Sequence, residues 1–307
     1  MDPILVFATS DKGGTGRSVT SCNIAYQLSL RGHDVAYVDF DFGSPTAGAL
    51  FDIGHAQRGI AEGTGVHSYL LDQIGEPVRL NIARSTDRVD LRRVPAGSGK
   101  LMLFPGDEGG AEFAGCDEAM VGRGIALLSA LLGEFGVVIV DLSAGRSVAL
   151  EIALRVTAAE QLRDYSHRWL VFHRWTRQHV LAAGGLVHGP HGLLKTGSEW
   201  GHDRDALLGS TRCVRTAVAS EQPPAAERPE QVKWLNAQAK ALAALAAANG
   251  LGTPMLLGKT PIEPMLQWRE QLIMDVDVTT KLANPATVDA YMRLAQKLTD
   301  KTTWDIE

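Results

Sequence analysis

The stretch TSDKGGTGRSVTSCNIA, Thr9–Ala25, decides the fold. It begins where the apolar run ILVFAT, Ile4–Thr9, ends, and its glycines lead into a helical pattern that Gly32 closes. A second run with the pattern of a buried strand, DVAYVDFDF (Asp34–Phe42), follows at once. Strand, glycine-rich loop, helix and strand in this order indicate a right-handed βαβ unit with a parallel sheet.

The rest of the chain continues this alternation. Further strands are predicted near residues 89–94, 100–106, 137–145, 168–176, 212–218 and 254–258, and further helices near residues 65–75, 120–136, 232–249 and 285–298. Residues 184–209 are rich in glycine, histidine and lysine without a clear period, so we expect a loop or an insertion there. The pattern predicts a single α/β domain over residues 1–307, with a doubly wound, mostly parallel β-sheet flanked by helices.

Composition and charge limit the function classes. The 307 residues are 45% hydrophobic and 21% charged, which is typical of a globular protein, and the formal net charge is −5. No apolar run approaches the roughly 20 residues that cross a bilayer, and the N-terminus lacks the basic segment of a signal peptide. The three cysteines form no CxxC pair, which is typical of a reducing compartment. We therefore expect a cytoplasmic protein without a membrane partner.

The segment KGGTGRS, Lys12–Ser18, has the composition of a phosphate-binding loop. Such a loop surrounds phosphate oxygens with backbone N–H groups, and the following helix adds its positive N-terminal dipole. The general pattern GxxxxGK[ST] is not met, because Asp11 stands at the first glycine position and Arg17 at the lysine position.

KGGTGRS resembles the deviant Walker A motif, KGGxGK[ST], of the ParA/MinD family of P-loop ATPases, with arginine in place of lysine. The resemblance implies a site for ATP and Mg²⁺ and a nucleotide-dependent homodimer in which Lys12 reaches the phosphates bound by the partner. The nucleotide-binding residues that it implies in this loop are Lys12, Gly13, Gly14, Thr15, Gly16, Arg17, Ser18 and Val19.

Three later segments extend the resemblance over nearly the whole chain. VDFDFG resembles the family's second motif, in which Asp41 would orient the attacking water and Asp39 would support either Mg²⁺ or the loop through hydrogen bonds. VVIVDLSAG resembles the Walker B strand, which implies that Asp141 acts on Mg²⁺ without direct coordination; the implied metal residues are thus Ser18, Asp39 and Asp141. GKTPIEP resembles the loop that packs against the nucleotide base, with Pro261, Ile262 and Glu263 as the candidates.

Two departures from the family bear on activity. The segment VRTAV has no asparagine where the family reads the adenine edge, so base specificity stays open. Arginine at position 17 is planar, larger than lysine and able to grip phosphate with two donors. A displacement of about 1 Å at the reacting phosphate can reduce the rate on the order of a hundredfold. Our hypothesis is a site that binds Mg-nucleotide and turns it over slowly, with Lys12 and Asp41 as the catalytic residues.

The function that the resemblance implies is a nucleotide-dependent switch that positions or regulates an activating or cargo protein. The alternative is a nucleotide-gated scaffold that no longer hydrolyses ATP. Related nitrogenase-iron-protein and metal-pump branches need paired interface cysteines, and the related tyrosine kinases carry a tyrosine cluster; the chain has neither. Partition ATPases of this type bind DNA nonspecifically, but the net charge of −5 gives no support for it here.

Overall fold

An eight-stranded sheet forms the centre of the computed structural model, which describes residues 2–219 and 229–305. The strands are β1 (Ile4–Thr9), β2 (Val35–Phe40), β3 (Leu80–Asn81), β4 (Leu101–Phe104), β5 (Val137–Leu142), β6 (Ser166–Arg174), β7 (Thr211–Val218) and β8 (Leu256–Pro261). Their order across the sheet is β3-β4-β2-β5-β1-β6-β7-β8. All neighbouring pairs are parallel except β3 with β4. The predicted doubly wound, mostly parallel sheet is confirmed.

Helices cover both faces of this sheet. They are α1 (Arg17–Leu30), α2 (Ala47–Leu50), α3 (Val66–Leu70), α4 (Ile82–Ser85), α5 (Val89–Arg92), α6 (Glu118–Glu134), α7 (Val148–Ala158), α8 (Glu160–Arg163), α9 (Arg177–His188), α10 (Leu193–Glu199), α11 (Arg204–Gly209), α12 (Pro229–Ala248), α13 (Asp275–Thr279) and α14 (Pro285–Thr299). No helix among these residues is both long enough and apolar enough to span a bilayer.

The alternation of side chains along β1 divides the core into two layers. Phe7 joins the layer under α6, α7 and α9, whereas Val6 joins the layer under α1 and α14. Phe7 stacks on Trp169 of β6 with ring centroids 4.4 Å apart. Six consecutive residues of β6, 168–173, are buried, so most side chains of this strand pack in the core.

Two local predictions were wrong. Residues 89–94 were expected to form a strand, but they contain α5, because only Leu91 of the run is buried while Val89 and Val94 are 58% and 50% exposed. A run whose apolar residues do not share a buried face has no sheet to join.

The second correction concerns residues 184–209, expected to form a loop. They contain the end of α9 and all of α10 and α11, and several of their leucines are buried in the core. Their glycines allow close packing: a Cβ added to Gly197 would lie 2.4 Å from a methyl group of Leu207. That the segment is an insertion stays a prediction.

The sheet brings three loops together at one edge. β1 lies between β5 and β6, and β5 lies between β1 and β2, all parallel. The register pairs Asp39 of β2 with Asp141 of β5 and Ala8 of β1 with the same Asp141. The loops that leave these strands therefore meet at the carboxyl edge, where doubly wound sheets bind ligands.

Candidate nucleotide-binding site

The loop between β1 and α1 has the backbone geometry of an anion cradle. Gly14 and Gly16 have φ angles of 69° and 75°, a left-handed region that side chains with a Cβ rarely adopt. Gly16 is the N-cap of α1, and no side chain caps this helix end. The first amides of a helix have no partner within the helix, so those of α1 remain as donors. With no acidic residue in the first turn of α1, the site favours a negatively charged ligand.

Contacts from both sides fix the position of this loop. After β5, the Gly145 amide donates to the Ser10 carbonyl at 2.7 Å, and Arg146 forms a salt bridge with Asp11 at 2.9 Å. At the end of β7, the hydroxyl of Thr216 donates to the Thr15 carbonyl. Thr216 belongs to VRTAV, the segment that lacks the family's adenine-reading asparagine. The sequence did not indicate that Thr216 contacts the loop, except that it lies near the end of a predicted strand.

The Arg17 side chain is buried and binds two carboxylates at the ends of the neighbouring strands. Its Nε donates to Asp141 Oδ1 at 2.5 Å, and its Nη2 donates to Asp41 Oδ2 at 2.7 Å. The same Nη2 lies 3.2 Å from Ser18 Oγ, and Arg17 is only 6% exposed. The guanidinium thus joins two of the carboxylates and the hydroxyl that the sequence analysis assigned to water and metal.

The charges in this cluster depend on one another. Burial and, after it, the charge of Asp141 raise the pKa of Asp39 to about 8, although hydrogen bonds from the Ala47 and Asp41 amides oppose this shift. Burial also raises the pKa of Asp41, an effect that the Arg17 guanidinium opposes. Burial alone would lower the pKa of Arg17, but the carboxylates of Asp141 and Asp41 raise it above its usual value. Arg17 is therefore a permanent cation at the centre of the cluster.

The Asp39 side chain accepts hydrogen bonds from two backbone amides. Its Oδ1 accepts from the Asp41 amide and its Oδ2 from the Ala47 amide, both at 3.1 Å. These bonds set the turn after β2 and the start of α2. Both oxygens of the Asp39 carboxylate are therefore engaged.

Arg17 and two backbone amides already contact the side chains assigned to Mg²⁺. Asp141 Oδ1 and Ser18 Oγ accept from Arg17, and Asp39 accepts from the two amides. Mg²⁺ requires an octahedron of oxygens at about 2.0–2.1 Å, and a guanidinium offers none. Within residues 2–219 and 229–305, no cluster of three or more histidine, cysteine, aspartate or glutamate side chains could hold a metal ion.

A cavity of about 300 Å³ adjoins the cradle on the side of β7 and β8. Gly16, Val19, Pro261 and Glu263 are among its lining residues. Glu263 is committed to the fold, because its carboxylate accepts from the amides of Met265 and Asn284 and from the Thr287 hydroxyl. Ile262 does not line this cavity and is 48% exposed. Of the three predicted base-contacting residues, Pro261 has the best position.

Lys12 lies in the exposed part of the loop. In the part of the chain that the structure describes, no salt bridge is formed by its ammonium group. The Lys12 side chain is therefore exposed at the carboxyl edge of the sheet.

A family model described as the CobQ/CobB/MinD/ParA nucleotide binding domain matches residues 6–232. The chain belongs to this family. The matched region includes the cradle, Asp39, Asp41 and Asp141. The predicted membership of the ParA/MinD family is confirmed. That Arg17 replaces the lysine of the family's phosphate-binding motif stays a prediction.

One curated relative is similar over a short segment. The septum site-determining protein MinD of Neisseria meningitidis serogroup B is 49% identical over 39 residues. That segment is 13% of this chain and 14% of the relative. The chain is thus matched over well under two thirds of the relative's length.

Solved structures of the family share the fold over almost the whole chain. A plasmid partition protein of Borrelia burgdorferi bound to AMPPNP has a TM-score of 0.60 at 14% identity, covering 96% of this chain and 98% of that protein. MinD of Pyrococcus horikoshii with Mg-ADP has a TM-score of 0.54 at 14% identity, covering 98% of both chains. The pNOB8 ParA bound to nonspecific DNA has a TM-score of 0.58 at 13% identity, covering 100% of both. At these identities the likeness supports the fold alone.

Proposed function

We propose that this family member is an ATP-binding switch protein that forms a nucleotide-dependent homodimer and hydrolyses ATP slowly. The observation that carries the proposal is the cradle itself: an uncapped helix N-terminus, two left-handed glycines and an adjoining cavity at the carboxyl edge of the sheet. Loop amides and the α1 dipole bind the phosphates. The cavity beside Pro261 receives the base, and Lys12 completes the site of the partner.

Slow turnover follows from the position of Asp41. The carboxylate that would orient the attacking water is bound to Arg17 at 2.7 Å. A group that orients the attacking water must be held in the correct position. A carboxylate that is bound to a cation and turned away from the water is therefore a weaker catalyst. The family relationship supports an ATPase, and the ion pair supports a slow one.

The alternative, a nucleotide-gated scaffold without hydrolysis, is favoured by the same ion pair. The two functions differ in one measurement. Phosphate release under single-turnover conditions, with Asp41→Asn beside the wild type, would give a slow rate that the variant lowers at least tenfold if Asp41 acts on water. Phosphate release that does not exceed the rate in protein-free buffer, in either protein, identifies the scaffold.

Nucleotide binding is tested first, by fluorescence titration with mant-ADP and mant-AMPPNP. Dissociation constants in the micromolar range or below are expected for both probes. A protein that is folded by circular dichroism and binds neither probe contradicts the proposed function. Competition with ATP and GTP then measures base preference, which the absence of the adenine-reading asparagine leaves open.

Partners of two classes are consistent with a switch. One is an activating or cargo protein, and the other is nonspecific DNA, as named for the pNOB8 ParA. The net charge of −5 gives DNA no support, but three arginines, Arg174, Arg177 and Arg215, border one cavity of about 520 Å³ beside α12. Phosphate contacts would be expected there, with the strong salt dependence of such binding.

A further inference from the structure

The cation in the phosphate site of this chain is part of the protein. We propose that the Arg17 guanidinium takes the position of the divalent cation, so that nucleotide binds without Mg²⁺. This inference rests on the proposed nucleotide site and deepens it.

Geometry is the first argument. Arg17 uses two different nitrogens, Nε for Asp141 at 2.5 Å and Nη2 for Asp41 at 2.7 Å. Nη2 also lies within 3.2 Å of Ser18 Oγ. A metal ion that contacted this hydroxyl and approached both carboxylates would have to occupy the volume that the guanidinium fills. The ion and the side chain exclude each other.

Charge is the second argument. A Mg²⁺ ion beside the guanidinium would place two cations within a few ångströms, and like charges repel strongly at a site shielded from water. If the ion displaced Arg17, a side chain that is 6% exposed would lose both carboxylate partners. An unpaired buried charge is costly, so the ion pair resists displacement.

The residue type is the third argument. The guanidinium is a planar fork whose nitrogens bind two acceptors in fixed directions, and it is always charged. The lysine ammonium is a compact charge on a flexible stem, with one nitrogen only. A lysine at position 17 cannot hold Asp141 and Asp41 through separate nitrogens. Arginine at position 17, unlike lysine, can therefore both bind the two carboxylates and fill the position of the metal.

The direct test compares nucleotide affinity with and without the metal. Wild-type protein is titrated with mant-ADP in 2 mM Mg²⁺ and again in EDTA. We expect the two dissociation constants to agree within threefold. A rise of threefold or more in EDTA would overturn the inference and leave the nucleotide site in place. Absence of binding in both buffers would overturn the proposed function together with the inference.

The variant Arg17→Lys tests whether the guanidinium causes this independence. We expect its affinity for mant-ADP to fall at least tenfold in EDTA relative to Mg²⁺. Arg79→Lys, at an exposed salt bridge far along the chain, is the matched control and should respond as the wild type does. An Arg17→Lys protein that is as indifferent to the metal as the wild type would contradict the role of Arg17.

A metal titration without nucleotide gives a second readout and does not require a variant. The thermal unfolding midpoint of the wild type should stay constant as Mn²⁺ is added, and the electron paramagnetic resonance signal of free Mn²⁺ should not decrease. Stoichiometric Mn²⁺ binding to the wild type would show that the position is open to a metal and would overturn the inference.

Discussion

Arg17, Asp41 and Asp141 form a largely buried ionic cluster at the carboxyl edge of β1, β2 and β5. Replacing Arg17 by methionine leaves the Asp141 carboxylate buried without its cation. Removing one partner of a buried pair costs about 3–5 kcal/mol. We expect Arg17→Met to lower the free energy of unfolding by about that amount, measured by urea denaturation without nucleotide.

The control for this variant is a salt bridge at the surface. Arg79 and Glu134 are each about half exposed, and an exposed pair contributes about 0–1 kcal/mol. Arg79→Met should therefore change the unfolding free energy by less than about 1 kcal/mol. If Arg17→Met costs no more than Arg79→Met, the cluster does not stabilise the protein.

The sequence predicts the members of this cluster but not the hydrogen bonds between them. Asp41 and Asp141 were identified because VDFDFG and VVIVDLSAG resemble two motifs of the family, and both residues lie at the ends of neighbouring parallel strands. The direction of the Arg17 side chain could not be derived, because it depends on distances between elements that the motif does not contain. The sequence also could not reveal that the Glu263 carboxylate is bound within the protein and is not free to contact a base. Its partners, Asn284 and Thr287, lie about twenty residues further along the chain, outside the motif.

At the scale of elements, α2 connects the fold to the site, since its first amide binds Asp39. Gly48 in α2 packs against the turn that follows: an added Cβ would lie 1.9 Å from the Ala56 carbonyl oxygen. Backbone cannot move away as easily as a flexible side chain. We expect Gly48→Ala to lower the unfolding free energy by about 3 kcal/mol, at the upper end of overpacking costs.

A helical glycine with open space is the matched control. A Cβ on Gly133 of α6 would meet nothing within 4 Å. Alanine is favoured over glycine in helices by about 1 kcal/mol, so Gly133→Ala should be neutral or stabilising. Thermal or urea denaturation measures both variants, and equal effects would contradict the packing assigned to α2.

Strand β6 makes stability depend on pH. Burial lowers the pKa of His173 to about 4, and the His173 side chain is almost fully enclosed. The unfolded chain, with an ordinary histidine pKa near 6.5, takes up this proton first, so stability is complete above pH 6.5 and is lost as pH falls towards 4. The loss attributable to His173 is on the order of 3 kcal/mol.

The measurement is the unfolding free energy at several pH values for three proteins. Wild type and His55→Gln, a change at an exposed histidine, should lose stability together between pH 6.5 and 4. His173→Gln should lose less over the same range. Parallel curves for all three proteins would mean that His173 titrates normally in the folded state.

Periodicity succeeded for elements whose apolar residues share one buried face, such as β1, β5, α6 and α14. It failed where glycine content was taken as evidence for a loop. The glycines of residues 184–209 instead allow helices to approach closely, as Gly197 does beside Leu207. A composition does not distinguish a glycine needed for a turn from one needed for contact, because the neighbour is unknown until the chain is folded.

On the scale of the whole molecule, the sheet presents the nucleotide cradle and Lys12 at the same edge. Lys12 is exposed and lies five residues before Arg17, the first residue of α1, so in the proposed dimer each subunit would bring its own lysine towards the phosphates of the other. In that dimer the negative charge of the bound nucleotide would attract the Lys12 ammonium of the other subunit.

Under the proposed function we expect the oligomeric state to depend on both the nucleotide and Lys12. In sedimentation velocity or light scattering, the wild type should be a monomer with ADP and a dimer with AMPPNP. Lys12→Ala, at AMPPNP concentrations that saturate it, should remain a monomer because the charge that crosses the interface is missing. Lys240→Ala, at an exposed lysine of α12, is the matched control and should dimerise as the wild type does. A Lys12→Ala protein that dimerises normally would place the interface elsewhere, and a wild type that is dimeric without nucleotide would favour the scaffold over the switch.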